Sequence, residues 1–227
     1  MKRNTRRFAA IVGIGLALLM PINRAFALSE SLEQLSAEWC QWAFSIPTPV
    51  NPLSDADGRN AAVGQRALVW FLAGVAGPGG TVTRQCSVPG NSSLFFPIIN
   101  LININTPNAC GQGGTLTVSE LRAQIAPFID QAVKIKATLD NRRIKNLQRV
   151  QSTVFAATFP EDNEFDVACG SNVPAGVYSP GVADGYYVLL DPPSAGEHTL
   201  HFHAEITTLG LTEDVTYRLT VVPVVLQ

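Results

Sequence analysis

The chain has 227 residues, 46% of them hydrophobic, and its 16 Lys and Arg against 18 Asp and Glu leave a net charge of −2. A chain of this length buries a core that needs no metal to hold it together. Beyond residue 27 its charges leave no footprint for nucleic acid or an anionic membrane surface, because the sole basic cluster there, Arg142-Arg143-Ile144-Lys145, reads as an exposed hairpin tip.

Lys2, Arg3, Arg6 and Arg7 precede an apolar run from Phe8 to Ile22 that closes on Ala25-Phe26-Ala27. This is the pattern of a secretory signal peptide cleaved after Ala27, and the run is shorter than the ~20 apolar residues of a bilayer-spanning helix. No Cys follows it, which argues against a lipoprotein. Arg6-Arg7 lacks the hydrophobic pair that usually accompanies a twin-arginine leader. Removing residues 1–27 takes five basic residues and no acidic one, so the mature chain has 11 basic against 18 acidic residues and stands at −7. Residues 28–227 are then expected to be a single β-rich unit, periplasmic or secreted. No transmembrane segment is expected after cleavage, and the expected partner belongs to the envelope or the exterior.

Ser29 or Ser31 caps a helix over about 30–45, with Leu32, Leu35, Trp39 and Trp42 at helical spacing and Glu30 and Glu33 in the positive first turn. Cys40 lies on this helix. Pro47, Pro49 and Pro52 make an extended connector, and Asp55-Ala56-Asp57-Gly58 a turn. Short apolar runs then predict strands at Ala67–Ala73, Val82–Val88 and Leu94–Ile104, the last broken at Pro97. Thr117-x-x-Glu120 is a capping box for a second helix, about 118–130, carrying Leu121, Ile125, Phe128 and Ile129 and ended or kinked by Pro127. Val133, Ile135, Ala137 and Leu139 alternate with polar residues, and Asp140-Asn141 turns the chain into Ile144–Leu147. Further strands fall at Val150–Phe159, Tyr186–Leu190, Thr199–Thr207 and Val215–Val222. With no helical crossover among these later strands, the pattern fits a mainly β, α+β chain. The architecture expected is an antiparallel β-sandwich, immunoglobulin-like or jelly-roll-like, with two short helices.

Cys40, Cys86, Cys110 and Cys169 are an even count in an oxidising compartment, so two disulfides are expected, with three possible connectivities. Loop length favours Cys86–Cys110, leaving Cys40–Cys169. The absence of a C-x-x-C pair argues against a thiolate metal site.

Glu38-Trp39-Cys40-Gln41-Trp42, Asn51-Pro52, Gly64-Gln65, Val69-Trp70-Phe71-Leu72-Ala73-Gly74, Arg84-Gln85-Cys86-Ser87-Val88-Pro89 and Phe95-Phe96-Pro97-Ile98-Ile99-Asn100 follow one another in order. Later come Ala183-Asp184-Gly185-Tyr186-Tyr187-Val188-Leu189-Leu190, Gly196-Glu197-His198-Thr199-Leu200-His201-Phe202 and Asp214-Val215-Thr216-Tyr217. In these motifs, over most of residues 38–222, the chain resembles an uncharacterised group of exported bacterial proteins. The resemblance implies no activity, cofactor or catalytic residue. Relatives often carry a Cys shortly before the Gly-Gln pair, where this chain has Asn60-Ala61-Ala62, so the resemblance transfers no disulfide pairing.

His198, His201 and His203 are the only histidines. On a strand, His201, His203 and Glu205 share a face, opposite Leu200, Phe202, Ala204 and Ile206, and imidazoles ~6–7 Å apart can converge on one divalent metal. The plain alternative is a solvated strand face, and the resemblance favours it by retaining His198 more readily than His201 or His203. His198, of opposite parity, reads as a tether for its turn. Asp55-x-Asp57-Gly58 with Asn60 departs from a calcium loop, with Leu53 at the first ligand position and Gly64 in place of the bidentate Glu, and reads as an Asx-rich turn. Trp39, Trp42, Tyr178, Tyr186 and Tyr187 are candidates for stacking on a sugar, with core packing as the alternative. Glu161-Asp162-Asn163-Glu164-Phe165-Asp166 reads as an exposed acidic loop. No G-x-S-x-G, H-E-x-x-H or phosphate loop occurs in the mature chain.

The sequence therefore points to a non-catalytic binding or structural protein of the envelope, its ligand unknown and its catalytic residues none. One alternative is a metal-binding protein or metal-dependent enzyme built on His201, His203 and Glu205. A glycan-binding module is another.

Overall fold

A computed structural model describes residues 30–224, so the leader expected over 1–27 and the cap at Ser29 lie outside the described residues. Among the described residues the fold is mainly β, with two packed sheets and three α-helices. Helix α1 (Leu32–Ser45) is capped by Ser31, whose hydroxyl accepts from the Gln34 N–H while the Gln34 side chain accepts from the Ser31 N–H. It ends before Pro47, as the helical spacing predicts. A 3-10 turn (Thr48–Val50) leads into the connector.

The first sheet holds β1 (Val69–Phe71), β3 (Ser93–Ile104), β8 (Gly176–Leu190) and β6 (Gln148–Gln151) in that order, with β7 (Phe155–Phe159) also paired to β8. In the second, the order is β2 (Gly79–Pro89), β10 (Leu211–Val222), β9 (Gly196–Ile206), β4 (Val133–Leu139) and β5 (Arg142–Arg143). All pairings among strands beyond residue 130 are antiparallel. The departures from the antiparallel expectation lie earlier, where β1 runs parallel to β3 and β2 parallel to β10.

The first sheet is covered on both faces, which makes the packing three-layered. On one face α1 lays Leu35, Trp39 and Ala43 against Phe71, Phe95 and Tyr187. On the other, Trp70, Leu94, Phe96 and Ile98 meet Phe202, Val215, Tyr217 and Leu219 of the second sheet, with the Phe96 and Phe202 rings stacked at 5.0 Å. Pro97 does not break β3. Having no N–H to give the ladder, it sits at a bulge between Pro97 and Ile99, and the even-numbered residues change faces across it: Phe96 points between the sheets, Ile102 and Ile104 toward the α1 layer.

Helix α2 (Val118–Ile129) carries the reciprocal cap of Thr117 and Glu120 and ends two residues after Pro127. Asp140 and Asn141 both take positive φ, as a tight hairpin turn between β4 and β5 requires. The run 150–159 splits into β6 and β7 because the intervening segment leaves the ladder. There the Ser152 hydroxyl accepts from the Ala183 N–H and the Thr153 N–H reaches Glu33 on α1.

A third helix, α3 (Glu164–Cys169), stands where an acidic loop was expected. Asn163 caps it and Asp166 returns the bond to the cap, so two of the polar side chains in that run close the helix start.

Cys110 is bonded to Cys169, with Cα atoms 5.0 Å apart, while Cys40 and Cys86 are free. This replaces the pairings Cys86–Cys110 and Cys40–Cys169. The reason is the layering: Cys40 is buried in the α1 layer and Cys86 packs on the inter-sheet core, whereas the loop bearing Cys110 folds against α3. Loop length alone carries none of that geometry.

A candidate ligand cleft at one end of the sandwich

The strand face bearing His201, His203 and Glu205 forms as its alternation predicts, with Leu200, Phe202, Ala204 and Ile206 fully buried behind it. Its polar groups hydrogen-bond one another. His201 Nε2 lies 2.7 Å from Asp214 Oδ1, His203 Nε2 lies 3.2 Å from Glu205 Oε1, and Lys134 Nζ donates to Glu205 at 3.0 Å. The lysine ammonium is the main cause that lowers the Glu205 pKa. Among the described residues no group of three or more His, Cys, Asp or Glu side chains is arranged to hold a metal ion. His198 ties its turn, with Nδ1 2.7 Å from Asp140 Oδ2 and Nε2 2.8 Å from the Ser194 carbonyl, and the Asp140 contact raises its pKa.

Asp55 spends its carboxylate within its own turn, accepting the N–H groups of Asp57 at 3.1 Å and Asn60 at 2.8 Å. Trp39 and Trp42 are core residues, each with its indole N–H on a backbone carbonyl, and Tyr187 is fully buried. None of the three offers a ring to a sugar on the outer surface.

The chemistry gathers elsewhere. A cleft of about 330 Å³ opens where α1, α3, the chain following β1 and the ends of β3 and β10 meet. Trp39, Phe44, Leu53, Leu101, Phe165 and Leu211 supply apolar walls, and two buried carboxyl groups, Glu164 and Glu213, face the same space. The lining includes no His, Lys or Arg, and its cysteines are the bonded pair Cys110 and Cys169.

Each carboxyl is placed by a local device. Glu213 is 8% exposed, and β10 alternation puts it on the inward side with Val215, Tyr217 and Leu219. Its Oε2 accepts the Val75 N–H at 3.0 Å, and burial, opposed by that bond and by Arg84, pushes its pKa up to about 8. Glu164 opens α3, and the Ser54 hydroxyl meets both its oxygens, at 2.8 and 3.0 Å. Burial raises its pKa, with the Ser54 bond working against it.

Behind this wall Arg84, 1% exposed, spreads its guanidinium over backbone carbonyls: Asp55 at 2.7 Å, Ala73 at 2.8 Å, Gly74 at 2.7 Å and Leu53 at 3.1 Å. The Tyr217 hydroxyl accepts from Arg84 and from the Ala73 N–H and donates to the Ala73 carbonyl. Connector, β1 exit and second sheet are thereby fixed to one another at the cleft floor.

Neither Glu213 nor Arg84 is reached by motif reasoning, but each carries a sequence signal. Glu213 shares parity with Val215, Tyr217 and Leu219, and Arg84 with Val82, Cys86 and Val88, so each is a charge on the apolar side of its strand.

A second hollow of about 560 Å³ shares Ile102, Cys110 and Phe165 with the cleft. Gln112, Thr115, Gln124 and the loop glycines line it, without an ionisable side chain. No family model, no curated protein and no solved structure matches this chain.

Proposed function

We propose that the chain is an exported, non-catalytic β-sandwich protein that binds a small, largely apolar ligand in the cleft at the α1–α3 end. The observation that carries this reading is the cleft itself. Its volume is within the range of small-molecule sites, its walls are aliphatic and aromatic, and two carboxyl groups with raised pKa values are part of its lining. The Arg84 clamp holds its floor in place before any ligand arrives, which lowers the ordering cost of binding. A location in the periplasm or beyond the cell is supported by the leader pattern of residues 1–27 and by the Cys110–Cys169 bond, of a kind that persists in oxidising compartments.

Titration of the oxidised protein with the uncharged fluorescent probe N-phenyl-1-naphthylamine tests the reading. Saturable one-to-one binding is expected. Ala168→Trp, an exposed position at the cleft rim, should weaken it at least about tenfold without lowering the melting temperature. Probe fluorescence that never saturates, or that ignores the substitution, removes the cleft as a binding site.

A further inference from the structure

We propose that the ligand of this cleft is an organic cation, an ammonium group on an apolar body, with its charge held by Glu213 and Glu164 beside the rings of Trp39, Phe44 and Phe165. This rests on the reading of the cleft as a binding site and adds the chemical class of its occupant. Glu213 uses one oxygen for the Val75 N–H, while Oε1 takes no hydrogen bond among the described residues. The cation nearest in charge terms, Arg84, spends its contacts on four carbonyls and the Tyr217 hydroxyl and makes no ion pair with Glu213. The cleft thus holds two largely buried carboxyl groups and no basic side chain in its lining. A buried carboxylate without a counter-charge is costly, and an entering ammonium group supplies that charge. Three aromatic rings add faces that attract cations, strongly so when the cation is desolvated. An anionic amphiphile would meet two like charges or force both protons to stay. The −7 charge of the mature chain favours cation approach over long range.

The assignment fixes a pH dependence. Glu213 faces the Val75 N–H from the chain after β1, Arg84 from β2 and Glu164 across the cleft from α3, while its strand neighbours are the uncharged Ala204 on β9 and Gly80 on β2. Its carboxyl is protonated in the empty protein below about pH 8, so a bound cation must expel that proton. Affinity then rises with pH by up to about tenfold per unit and levels off above that value.

The experiment compares benzyltrimethylammonium with its uncharged isostere neopentylbenzene, each displacing N-phenyl-1-naphthylamine from the oxidised protein between about pH 6 and about pH 9. The cation should bind at least about tenfold more tightly than the isostere at the alkaline end, with the preference shrinking toward the acid end. Glu213→Gln should remove most of the preference and its pH dependence, and Glu164→Gln should reduce the preference further. Equal affinities at every pH, or a preference that survives both substitutions, overturn the assignment. Displacement by the isostere but not by the cation leaves the cleft standing and removes the cation. A probe that does not bind at all removes both. Should Glu213→Gln fail to fold, the pH profile of the unaltered protein decides alone.

Discussion

Glu213 shows how one side chain on the unexpected side of a strand reorganises its surroundings. Placed among Val215, Tyr217 and Leu219, it can stay ionised only at a cost, and its proton is held until about pH 8. In the unfolded chain an ordinary Glu releases its proton near pH ~4.3. Between these values the folded state binds more protons than the unfolded state, so the Glu213 contribution to stability is complete below the lower value. It is lost as pH rises and has gone above about 8. The slope approaches ~1.4 kcal/mol per pH unit at most. Urea denaturation of the unaltered protein should show stability falling across this window, and Glu213→Gln should flatten the curve. Parallel curves for the two proteins would contradict the burial of this carboxyl. The position was open to a reader of the sequence through strand parity. Its partner Glu164 was not, because the run around it has the composition of a solvated loop and acquires its meaning only from Ser54, far away along the chain.

At the scale of elements, legibility followed period and length. Helices α1 and α2 carry caps and several turns of spacing, and β9 alternates from Leu200 to Ile206, so the helices stand where the pattern puts them and β9, predicted from Thr199, starts only three residues earlier, at Gly196. Helix α3 is six residues long, too short to express a period, and its cap is built from Asn and Asp that equally describe a turn. The parallel pairing of β2 with β10 joins segments with strands β3 to β9 between them in sequence, and no local signal encodes it. Strand β8 was visible only over its apolar end, since Gly176 to Gly181 lacks alternating hydrophobic character.

Gly185 is where this strand is least tolerant. It pairs with Asn100 on β3 and Val150 on β6, and a Cβ there would lie 2.5 Å from both the Ile99 carbonyl oxygen and the Asn100 Cβ. Gly185→Ala should cost about 3 kcal/mol in denaturant unfolding, because backbone on the neighbouring strand must move. Gly176→Ala, on the same strand with its nearest contact at 3.9 Å, should stay within about 0.5 kcal/mol and serves as the control. Equal effects at the two sites would refute the close approach of β3 to β8.

Over the whole molecule, three layers and one covalent tie divide the work of stability. The Cys110–Cys169 bond spans 59 residues of sequence, and chain-entropy reasoning assigns it about 4 kcal/mol. Cys110→Ser with Cys169→Ser should lower the unfolding free energy by an amount of that order. The two thiols left free are shielded, with burial pushing the pKa of Cys40 far up and that of Cys86 up to about 12. Maleimide should therefore label neither in the folded protein and both in denaturant without reductant, and mass spectrometry should find Cys110 and Cys169 still joined. Four protected sulfurs in the denatured, unreduced chain would restore the two-disulfide expectation.

The order of strands in the second sheet sets a timetable for synthesis. Strand β10 lies between β2 and β9, and each of those two registers extends over eleven residue pairs. Until residue 222 has emerged from the ribosome, β2 lacks its neighbour and the inter-sheet core lacks Val215, Tyr217, Leu219 and Val221. A nascent chain of this protein thus can assemble its first sheet, complete by residue 190, while the second sheet and the core between the two wait for the final strand.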